Sequence, residues 1–312
     1  MAKARVYIDG QSGTTGLQIF DRIGARDDIE MLRIDDVLRH DVEERRKYLN
    51  AADVVFLCLP DDGAREAVAL VENPDVHIID ASTAHRTADG WTYGFPELNA
   101  GQREAIAAST RIANPGCHAT GFISCVAPLV QAGVVPVDYP LTCFSLTGYS
   151  GGGKRMIADY EAEGRPVALD APGIYGLSLA HKHLPEMQKV CGLDVAPVFL
   201  PVVDDYYKGM ATTITLHNQL LPGTPGIADI HEALAAHYAG QQLVSVAPLG
   251  SNGPVLYANE LAGTNELRIV VCGNDERTSV TALFDNLGKG ASGAAVQNMN
   301  IVLGIDETMG LL

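Results

Sequence analysis

One cysteine of this chain lies where a nucleophile would be expected. Cys117 stands between two glycines in ANPGCHATGF, directly before apolar residues at helical spacing that run to about Gly133. We expect a helix to begin at Cys117, with Pro128 kinking or shortening it. Peptide dipoles at a helix N-terminus lower the pKa of a thiol, and the amides there stabilise an oxyanion beside the sulfur. The pattern therefore predicts an activated thiol; the alternative is a small packing residue at a tight turn.

The remaining cysteines fit structural roles better than chemical ones. Cys125 lies inside the same apolar helical pattern, and three others lie in predicted strands: Cys58, Cys143 and Cys272. The six cysteines, with Cys191 completing the set, show no CxxC motif and no paired spacing. We therefore expect reduced thiols in a cytoplasmic protein.

A second chemical motif comes at the start of the chain. GQSGTTG follows an apolar run and precedes a helical pattern. Glycines let backbone amides approach a pyrophosphate, and a helix N-terminus favours its charge. We therefore predict a dinucleotide site; a tight turn without a ligand is the alternative. The residues expected to contact the dinucleotide are Gly10, Ser12, Gly13, Thr14, Thr15 and Gly16.

The residues that would select NAD or NADP follow in LRIDD. An acidic residue at the end of the second strand favours NAD because it hydrogen-bonds the ribose, whereas an arginine favours NADP because it binds the 2′-phosphate. Arg33, Asp35 and Asp36 stand together there. The local residues leave both cofactors open.

A dinucleotide site and an activated thiol in one chain indicate redox chemistry at the aldehyde level. A thiolate attacks an acyl group to give a thioester, which hydride from a nicotinamide reduces to a thiohemiacetal that collapses to an aldehyde. The reaction needs a group that moves a proton on and off the oxygen. Histidine is the usual provider.

The scaffold for the first motif is an alternation of strand and helix patterns. The strand patterns are ARVYIDG, IEMLRID, ADVVFLCLP and VHIIDAS, and the helical patterns are TGLQIFDRIGA and REAVALVEN. The nearly continuous apolar run in ADVVFLCLP is typical of a parallel strand that is covered on both faces. The alternation predicts a doubly wound α/β domain.

After Cys117 the pattern changes to longer strands with long connections. The strand patterns are LTCFSLTGYS, DVAPVFLPVV, GMATTITLHN and ELRIVVCGN. They predict a mixed or antiparallel sheet in a second domain, and 312 residues are enough for two domains. The small-residue-rich tail DNLGKGASGAAVQNMNIVLG is helical in pattern.

Composition excludes several classes of partner. Lys plus Arg number 22 against 38 Asp plus Glu, a formal net charge of −16. This charge argues against general binding to nucleic acid or anionic membranes, although local amides and a few arginines can still bind a phosphate. No apolar run is long enough to span a membrane, and a strand pattern begins at once, so we expect no signal peptide.

Taken in order, segments along nearly the whole chain resemble the N-acetyl-γ-glutamyl-phosphate reductases of the arginine pathway, in their shorter form. They are GQSGTTG, CLPDDGARE, IIDASTAHR, YGFPEL, ANPGCHATG, TGYSGGGKR, LAHKHLPEM and DNLGKGASGAAVQNMN. The set is far more specific than any one segment. Broader relatives are the aspartate-semialdehyde dehydrogenases and, more distantly, the glyceraldehyde-phosphate dehydrogenases.

The resemblance implies that Cys117 is the nucleophile and that a histidine of HKH is the acid/base. His181 is the first candidate and His183 the second; a surface or capping role is the alternative for both. A His-x-His pair also suits zinc, but no other clustered ligands support a metal site.

For the cofactor, the resemblance implies NADP, and therefore Arg33 at its 2′-phosphate. Pro60 of CLPDD joins the residues expected at the cofactor. Asn286, with Gly288 and Gly290, is expected beside the nicotinamide; an ordinary helix N-terminal region is the alternative.

The acyl phosphate substrate and inorganic phosphate must also be held. Arg86 of STAHR is the main candidate, because a guanidinium binds phosphate oxygens in pairs. Ser82 and Asn114 are expected to assist. Lys154 or Arg155 of SGGGKR is expected to bind the carboxylate or phosphate of the substrate. For each basic residue taken singly, a solvated surface role is the alternative.

The fold implied by the resemblance has a Rossmann-type dinucleotide domain over residues 1–117, completed by a C-terminal helix within 286–312. An α+β domain over residues 118–285 carries catalysis and oligomerisation. Members of the family form homo-oligomers, so we expect a homodimer or homotetramer.

Three functions follow from these patterns. The first is NADPH-dependent reduction of N-acetylglutamyl 5-phosphate to the semialdehyde. The second is a sibling reductase for aspartyl or aminoadipyl phosphate, since one methylene changes binding by only about 1–3 kcal/mol. The third is a non-catalytic NADP-binding redox sensor in which Cys117 merely oxidises, which needs neither a phosphate-binding arginine nor a histidine partner.

Overall fold

A computed structural model describes residues 3–11 and 13–312, so that Ser12 of the glycine loop lies outside the described residues. The chain forms two compact units. The first comprises the residues up to Pro96, Gly101–Pro115 and Ala291–Leu312, and the second comprises Glu97–Ala100 and Gly116–Gly290. The units thus divide after Pro115 and after Gly290, where the sequence placed divisions after residues 117 and 285.

A parallel sheet forms the centre of the first unit. Its strands are β1 Ala4–Asp9, β2 Ile29–Leu32, β3 Val54–Leu57, β4 His77–Asp80, β5 Thr92–Tyr93 and β6 Arg111–Ala113. They lie in the order β2-β1-β3-β4-β6-β5, and every pairing is parallel. All residues of β3 are buried, as its apolar run predicts. The predicted Rossmann-type α/β fold is therefore confirmed.

Helices connect these strands. They are α1 Thr14–Ile23, α2 Val42–Ala51, α3 Asp61–Leu70 and α4 Gln102–Ala108. The sequence predicted α1 and α3 but not α2, in whose segment VEERRKYLNA half of the residues are charged. Its start is nevertheless well specified, because the Asp41 side chain accepts the Glu44 N–H at 2.9 Å and acidic residues occupy the first turn.

The second unit contains a mixed sheet and four of the described helices. The helices are α5 Cys117–Gln131, α6 Gly153–Glu161, α7 Leu184–Cys191 and α8 Ile227–His237. The strands are β7 Thr142–Gly148, β8 Gly173–Ile174, β9 Val198–Asp204, β10 Met210–His217, β11 Val244–Val246, β12 Leu267–Gly273 and β13 Arg277–Phe284. Their order is β11-β12-β13-β10-β7-β9-β8, with parallel and antiparallel pairs together. The mixed sheet agrees with the prediction.

The C-terminal helix belongs to the first unit. A π-helical turn, Gly288–Ser292, leads into α9 Gly293–Val302, which packs on α1 and α4. The first eight residues of α9 are buried, and they include Ala294, Ala295 and Met299. This membership in the first unit confirms the predicted return of a C-terminal helix.

Helix α5 continues past Pro128 to Gln131, so the proline does not shorten it. Proline donates no N–H, so the carbonyl four residues earlier, at Ser124, loses its helical partner. The buried hydroxyl of Tyr238, at the C-terminal cap of α8, donates to that carbonyl at 2.8 Å instead.

Although α5 is strongly apolar, none of the described helices is long and apolar enough to cross a membrane.

Candidate active site

A cleft of about 440 Å³ opens in the first unit where β1 meets α1. Gly10 turns the chain there with φ +86°, and a Cβ on it would collide with the Cys58 carbonyl. Gly13 precedes the first turn of α1 in an extended conformation. The described lining residues are Tyr7, Ile8, Asp9, Gly10, Gln11, Gly13, Ile34, Asp36, Arg39, His40, Arg45, Cys58, Leu59, Pro60 and Gly63. Backbone from the glycines therefore faces open space at a helix N-terminus, as phosphate binding requires.

The predicted cofactor residues divide into those that line this cleft and those that do not. Gly10, Gly13 and Pro60 line it. Thr14, Thr15 and Gly16 form the start of α1. The cleft also contains Cys58, which comes one residue after β3 rather than within a strand, and burial raises the pKa of its thiol to about 12.

Two basic residues not predicted from the sequence line the cleft in place of Arg33. The Arg33 guanidinium lies over the Phe20 ring, 4.6 Å from its centroid, and Arg33 is not among the described lining residues. Arg39 and His40 do line the cleft, and Arg39 Nε donates a hydrogen bond to His40 Nε2 at 3.3 Å. Arg39 lies six residues after Arg33, the residue near the end of the second strand that was considered for the choice between NAD and NADP. The sequence pattern at the strand end therefore did not include Arg39.

The floor of the cleft contains a buried ion pair that was also missed. Arg45 of α2 donates to Asp9 at the end of β1 at 2.9 Å and to Glu66 of α3 at 2.8 Å. Burial raises the pKa of the Asp9 carboxyl above its usual value, although Arg45 opposes that shift. Through these two ion pairs, Arg45 links β1 to α2 and α3 beside the glycine turn.

Cys117 is the first residue of α5, as predicted. Gly116 caps the helix in an extended conformation, and its N–H donates to the buried Glu186 Oε1 at 2.9 Å. Gly290 also packs closely against Cys117, because a Cβ added to Gly290 would lie 3.1 Å from Cys117 Cβ. The thiol is half-buried and lies at the positive end of a 15-residue helix, where a thiolate is stabilised.

The other cysteines of the second unit contrast with Cys117. Cys125 and Cys143 are buried, and burial raises the pKa of the Cys125 thiol to about 12 and that of Cys143 well above its usual value. Burial also raises the pKa of Cys191. These thiols stay protonated and inert, as the sequence indicated for Cys125 and Cys143.

The two predicted histidines lie together at the start of α7. Their ring centroids are 4.8 Å apart, with His183 buried at the helix cap and His181 half-buried. The His183 N–H donates to His181 Nδ1 at 3.2 Å, which assigns the proton of a neutral His181 ring to Nε2. Burial, and secondarily the Lys182 charge, lower the pKa of His181, so the ring is neutral near pH 7 and able to take up a proton.

A third histidine, His118, completes the cluster and was not proposed from the sequence. Its ring centroid lies 5.8 Å from those of His181 and His183. Burial, followed by the charges of His181 and Lys182, lowers its pKa to about 3. The available signal was its place directly after Cys117, in the first turn of α5. Within the described part of the chain, no group of His, Cys, Asp and Glu is arranged to hold a metal ion.

The predicted phosphate residues of the first unit are held in a hydrogen-bonded loop after β4. Arg86 donates to the carbonyls of Ala81 and Asn114, each at 3.0 Å. The Ser82 hydroxyl donates to buried Asp80 at 2.7 Å, and the Asn114 amide donates to the Ala291 carbonyl at 3.0 Å. The structure therefore shows Arg86 as a brace for the loop, and its contact with phosphate stays a prediction.

The remaining predicted residues belong to the second unit. Lys154 and Arg155 are exposed in the first turn of α6. Asn286 is buried; its amide donates to Ser150 Oγ at 3.0 Å, and its oxygen accepts the Gly209 N–H at 2.8 Å. Asn286 thus links the turn that follows β7 to the residue that precedes β10. Its expected place beside the nicotinamide stays a prediction.

Family models match both parts of the chain. The model described as semialdehyde dehydrogenase, NAD binding domain, matches residues 14–108. The model described as semialdehyde dehydrogenase, dimerisation domain, matches residues 117–286, which include the thiol and the three histidines. The fold and site therefore define a semialdehyde dehydrogenase.

Individual relatives narrow this class. The chain is 49% identical to N-acetyl-gamma-glutamyl-phosphate reductase 2 of Nostoc sp., with 100% of both chains covered. It is 48% identical to N-acetyl-gamma-glutamyl-phosphate reductase 2 of Pseudomonas putida, with 98% of each covered, and 48% identical to the Brucella anthropi reductase, with 97% of this chain and 99% of that one covered. The chain belongs to the N-acetyl-γ-glutamyl-phosphate reductase family, which confirms the predicted resemblance.

Solved structures share the fold at low sequence identity. Aspartate semialdehyde dehydrogenase II of Vibrio cholerae, complexed with ASA, matches with a TM-score of 0.72 and 14% identity, covering 97% of this chain and 99% of that one. Aspartate semialdehyde dehydrogenase of Francisella tularensis matches with a TM-score of 0.72 and 13% identity, covering 96% and 100%.

Proposed function

We propose that this protein is a cytoplasmic enzyme that reduces N-acetylglutamyl 5-phosphate to N-acetylglutamate 5-semialdehyde and phosphate, with NADPH, in arginine biosynthesis. The observation that carries the proposal is Cys117 at the N-terminus of α5, with His118 of the same turn in a cluster with His181 and His183. The full-length relatives of this name support the choice of substrate.

Cys117 performs the first chemical step. Its thiolate attacks the acyl carbon, a C–S bond forms, and the bond from carbon to the phosphate oxygen breaks to release phosphate. The N–H groups in the first turn of α5 stabilise the negative oxygen that develops during the attack. The Gly116 N–H is already bonded to Glu186, so residues further into the helix must supply these donors.

His181 moves the proton in the second step. When bound, the dinucleotide supplies a hydride to the thioester carbon. The oxygen accepts a proton from the protonated His181 ring and returns it to that ring as the C–S bond breaks, which releases the aldehyde and the thiolate. His181 is our choice for this proton transfer because its ring is half-buried, while His183 is more deeply buried at the α7 cap.

The residues of the first unit fit a dinucleotide. Gly10, Gly13 and Gly63 line the cleft, so backbone approaches its space without obstruction by side chains. Arg39 and His40 supply positive charge and hydrogen-bond donors for a 2′-phosphate, whereas Asp36 on the same cleft would suit a ribose hydroxyl. We propose NADP as the cofactor, with Arg39 at its 2′-phosphate.

Replacement of Arg39 tests the choice of cofactor. We expect Arg39→Ala to raise the KM for NADP by about tenfold or more, because a hydrogen bond to a charged phosphate is lost, and to leave the KM for NAD unchanged. Arg33→Ala is the matched control, with a change of less than about twofold, since Arg33 lies on the Phe20 ring. Initial rates at varied NADP and NAD measure both. Equal effects of Arg39→Ala on the two cofactors would overturn the assignment.

We also propose that the protein is a homodimer that buries one face of the mixed sheet. Phe144 of β7 and Leu200 of β9 stand side by side in register, with Val198 next to them, and their exposed fractions are 44%, 37% and 48%. Adjacent exposed apolar residues on a sheet are typical of a protein interface. These strands lie within the part of the chain that matches the dimerisation model, residues 117–286.

Light scattering of a charged variant tests this face. Phe144→Glu is expected to shift the mass toward that of a monomer, because a dimer would bury two carboxylates in apolar surroundings. Val255→Glu is the matched control, since Val255 is 55% exposed outside the sheet. If Phe144→Glu remains a dimer and dissociates at the same protein concentration as Val255→Glu, the interface does not include this face of the sheet.

The reverse reaction tests the function itself. We expect the protein with N-acetylglutamate semialdehyde, NADP and phosphate to form reduced nicotinamide at a rate that depends on phosphate. Faster turnover of aspartate semialdehyde or an aminoadipate semialdehyde would assign the protein to a sibling reaction. Nucleotide binding without turnover of any aldehyde would favour a redox sensor.

A further inference from the structure

A line of hydrogen-bonded side chains runs from the mixed sheet to Tyr175. Thr212 of β10 and Ser145 of β7 face each other in register, and their hydroxyl oxygens are 2.8 Å apart. Ser145 Oγ lies 2.8 Å from His118 Nδ1, and His118 Nε2 lies 2.7 Å from the Tyr175 hydroxyl. His118, Ser145 and Thr212 are buried, with exposed fractions of 2%, 0% and 0%. The line is therefore protected from bulk water except at its Tyr175 end.

The protons of this line are few enough to count. The three hydroxyl groups and the neutral imidazole carry one exchangeable proton each, which makes four. The three hydrogen bonds between these groups use one proton each. One proton is therefore left over at one end. If the bonds run from Tyr175 toward Thr212, the spare proton belongs to Thr212; if they run the other way, His118 donates from Nε2 and the Tyr175 hydroxyl points its own proton outward.

The protonation states of the line are fixed near neutral pH. Burial lowers the pKa of His118 to about 3, so the ring does not become a cation. Burial also raises the pKa of Tyr175, with a further contribution from the charge of Cys117, so the phenol keeps its proton. The line can therefore reverse its direction only by changing the tautomer of His118.

Tyr175 lies with the groups that perform the proposed reaction. Its ring centroid is 6.0 Å from that of His181 and 6.2 Å from that of His118. His118 follows Cys117 in the first turn of α5, and the charge of Cys117 acts on Tyr175. An outward-pointing phenol proton there suits an oxygen atom that becomes negative during acyl transfer.

We propose that Tyr175 is a catalytic hydrogen-bond donor to the acyl oxygen of the substrate, and that His118 is the positioning residue that holds Tyr175 in the donating orientation. This inference rests on the proposed function, because it concerns the acyl oxygen of the thioester reaction. The Nε2 tautomer of His118 donates to the phenol oxygen, and Ser145 and Thr212 hold that tautomer from the sheet side. No proton is consumed, since the line only orients the donor.

Kinetics of Tyr175→Phe and His118→Phe test the proposal. We expect each variant to lower kcat by about 10- to 100-fold with KM changed less than about threefold, because an oxyanion donor acts mainly in the transition state. The double variant is expected to match the worse single variant, since both remove the same hydrogen bond. His118→Gln is expected to restore part of the rate, because an amide can accept from Ser145 and donate to Tyr175 at once.

A second measurement separates chemistry from damage to the site. The rate of Cys117 alkylation by iodoacetamide against pH is expected to be the same in Tyr175→Phe and the unaltered protein, because the substitution removes a neutral hydroxyl group and no charge. A Tyr175→Phe variant with full kcat overturns the inference. A double variant whose loss of kcat equals the product of the two single losses also overturns it. If His118→Phe does not fold, Tyr175→Phe and His118→Gln decide the matter. If the unaltered protein is inactive on every semialdehyde, the proposed function itself is refuted. The assay of the unaltered protein gives this result before any variant is tested, so the two failures are distinguishable.

Discussion

Cys117→Ser is expected to lower kcat/KM for semialdehyde oxidation at least a thousandfold and to leave NADP affinity unchanged. A serine hydroxyl is not ionised near pH 7 and forms an ester that is a poorer acyl donor than a thioester. The nucleotide cleft is lined by residues of the first unit, whereas Cys117 belongs to the second. Steady-state rates and a nucleotide titration by fluorescence measure the two effects separately.

Cys272→Ser provides the matched control for this substitution. Cys272 is half-buried in β12, and the Ser279 hydroxyl bonds to its backbone carbonyl rather than to its sulfur. We expect activity within about twofold of the unaltered protein. Comparable losses in the two variants would mean that general loss of thiols, rather than nucleophilic attack by Cys117, explains the effect.

Lys289→Met is expected to lower the free energy of unfolding by about 3–5 kcal/mol, because it removes a buried cation from the buried Glu97 carboxylate. Lys289 Nζ lies 2.8 Å from both carboxylate oxygens of Glu97, and both side chains are fully buried. Glu97 belongs to the short segment Glu97–Ala100 that joins the second unit. Lys289 adjoins Gly290, whose backbone lies against Cys117. The pair therefore supports the wall of the active site.

Two further variants show whether the buried charge is the cause. Combining Lys289→Met with Glu97→Gln is expected to recover most of the lost stability, since it removes both charges together. Arg277→Ala is the control; it breaks a pair with Glu276 in which both side chains are 67% exposed, and it should cost less than about 1 kcal/mol. Urea unfolding measures all three. A double variant that is less stable than Lys289→Met would contradict this explanation.

The parts of the fold that could be predicted depend on residues close in sequence. The glycine turn and the start of α5 each follow from a few neighbouring residues, because strand, turn and helix N-terminus are local structures. The apolar run of β3 predicted a buried parallel strand for the same reason. Helix α2 was missed because its charged sequence lacks an apolar stripe, and its buried Arg45 is explained only by Asp9, on another element.

The active site could be predicted only as far as its motifs reach. The sequence indicated Cys117, His181 and His183, but gave no sign that His118 bonds to Ser145 and Tyr175, which lie 27 and 57 residues away. It also assigned a possible solvent or phosphate role to Arg86, whereas carbonyl oxygens of two loops accept its hydrogen bonds. Partners of this kind arise from strand order and register, which no local pattern encodes.

The most direct test of the account follows the acyl group itself. The protein is mixed with N-acetylglutamate semialdehyde and NADP without phosphate, and reduced nicotinamide is followed in the first turnover before the digested protein is weighed by mass spectrometry. We predict a burst of one reduced nicotinamide per chain, an acyl group on the peptide that contains Cys117, and its release when phosphate is added. Absence of the burst, or an acyl group on any other residue, would contradict the thioester mechanism.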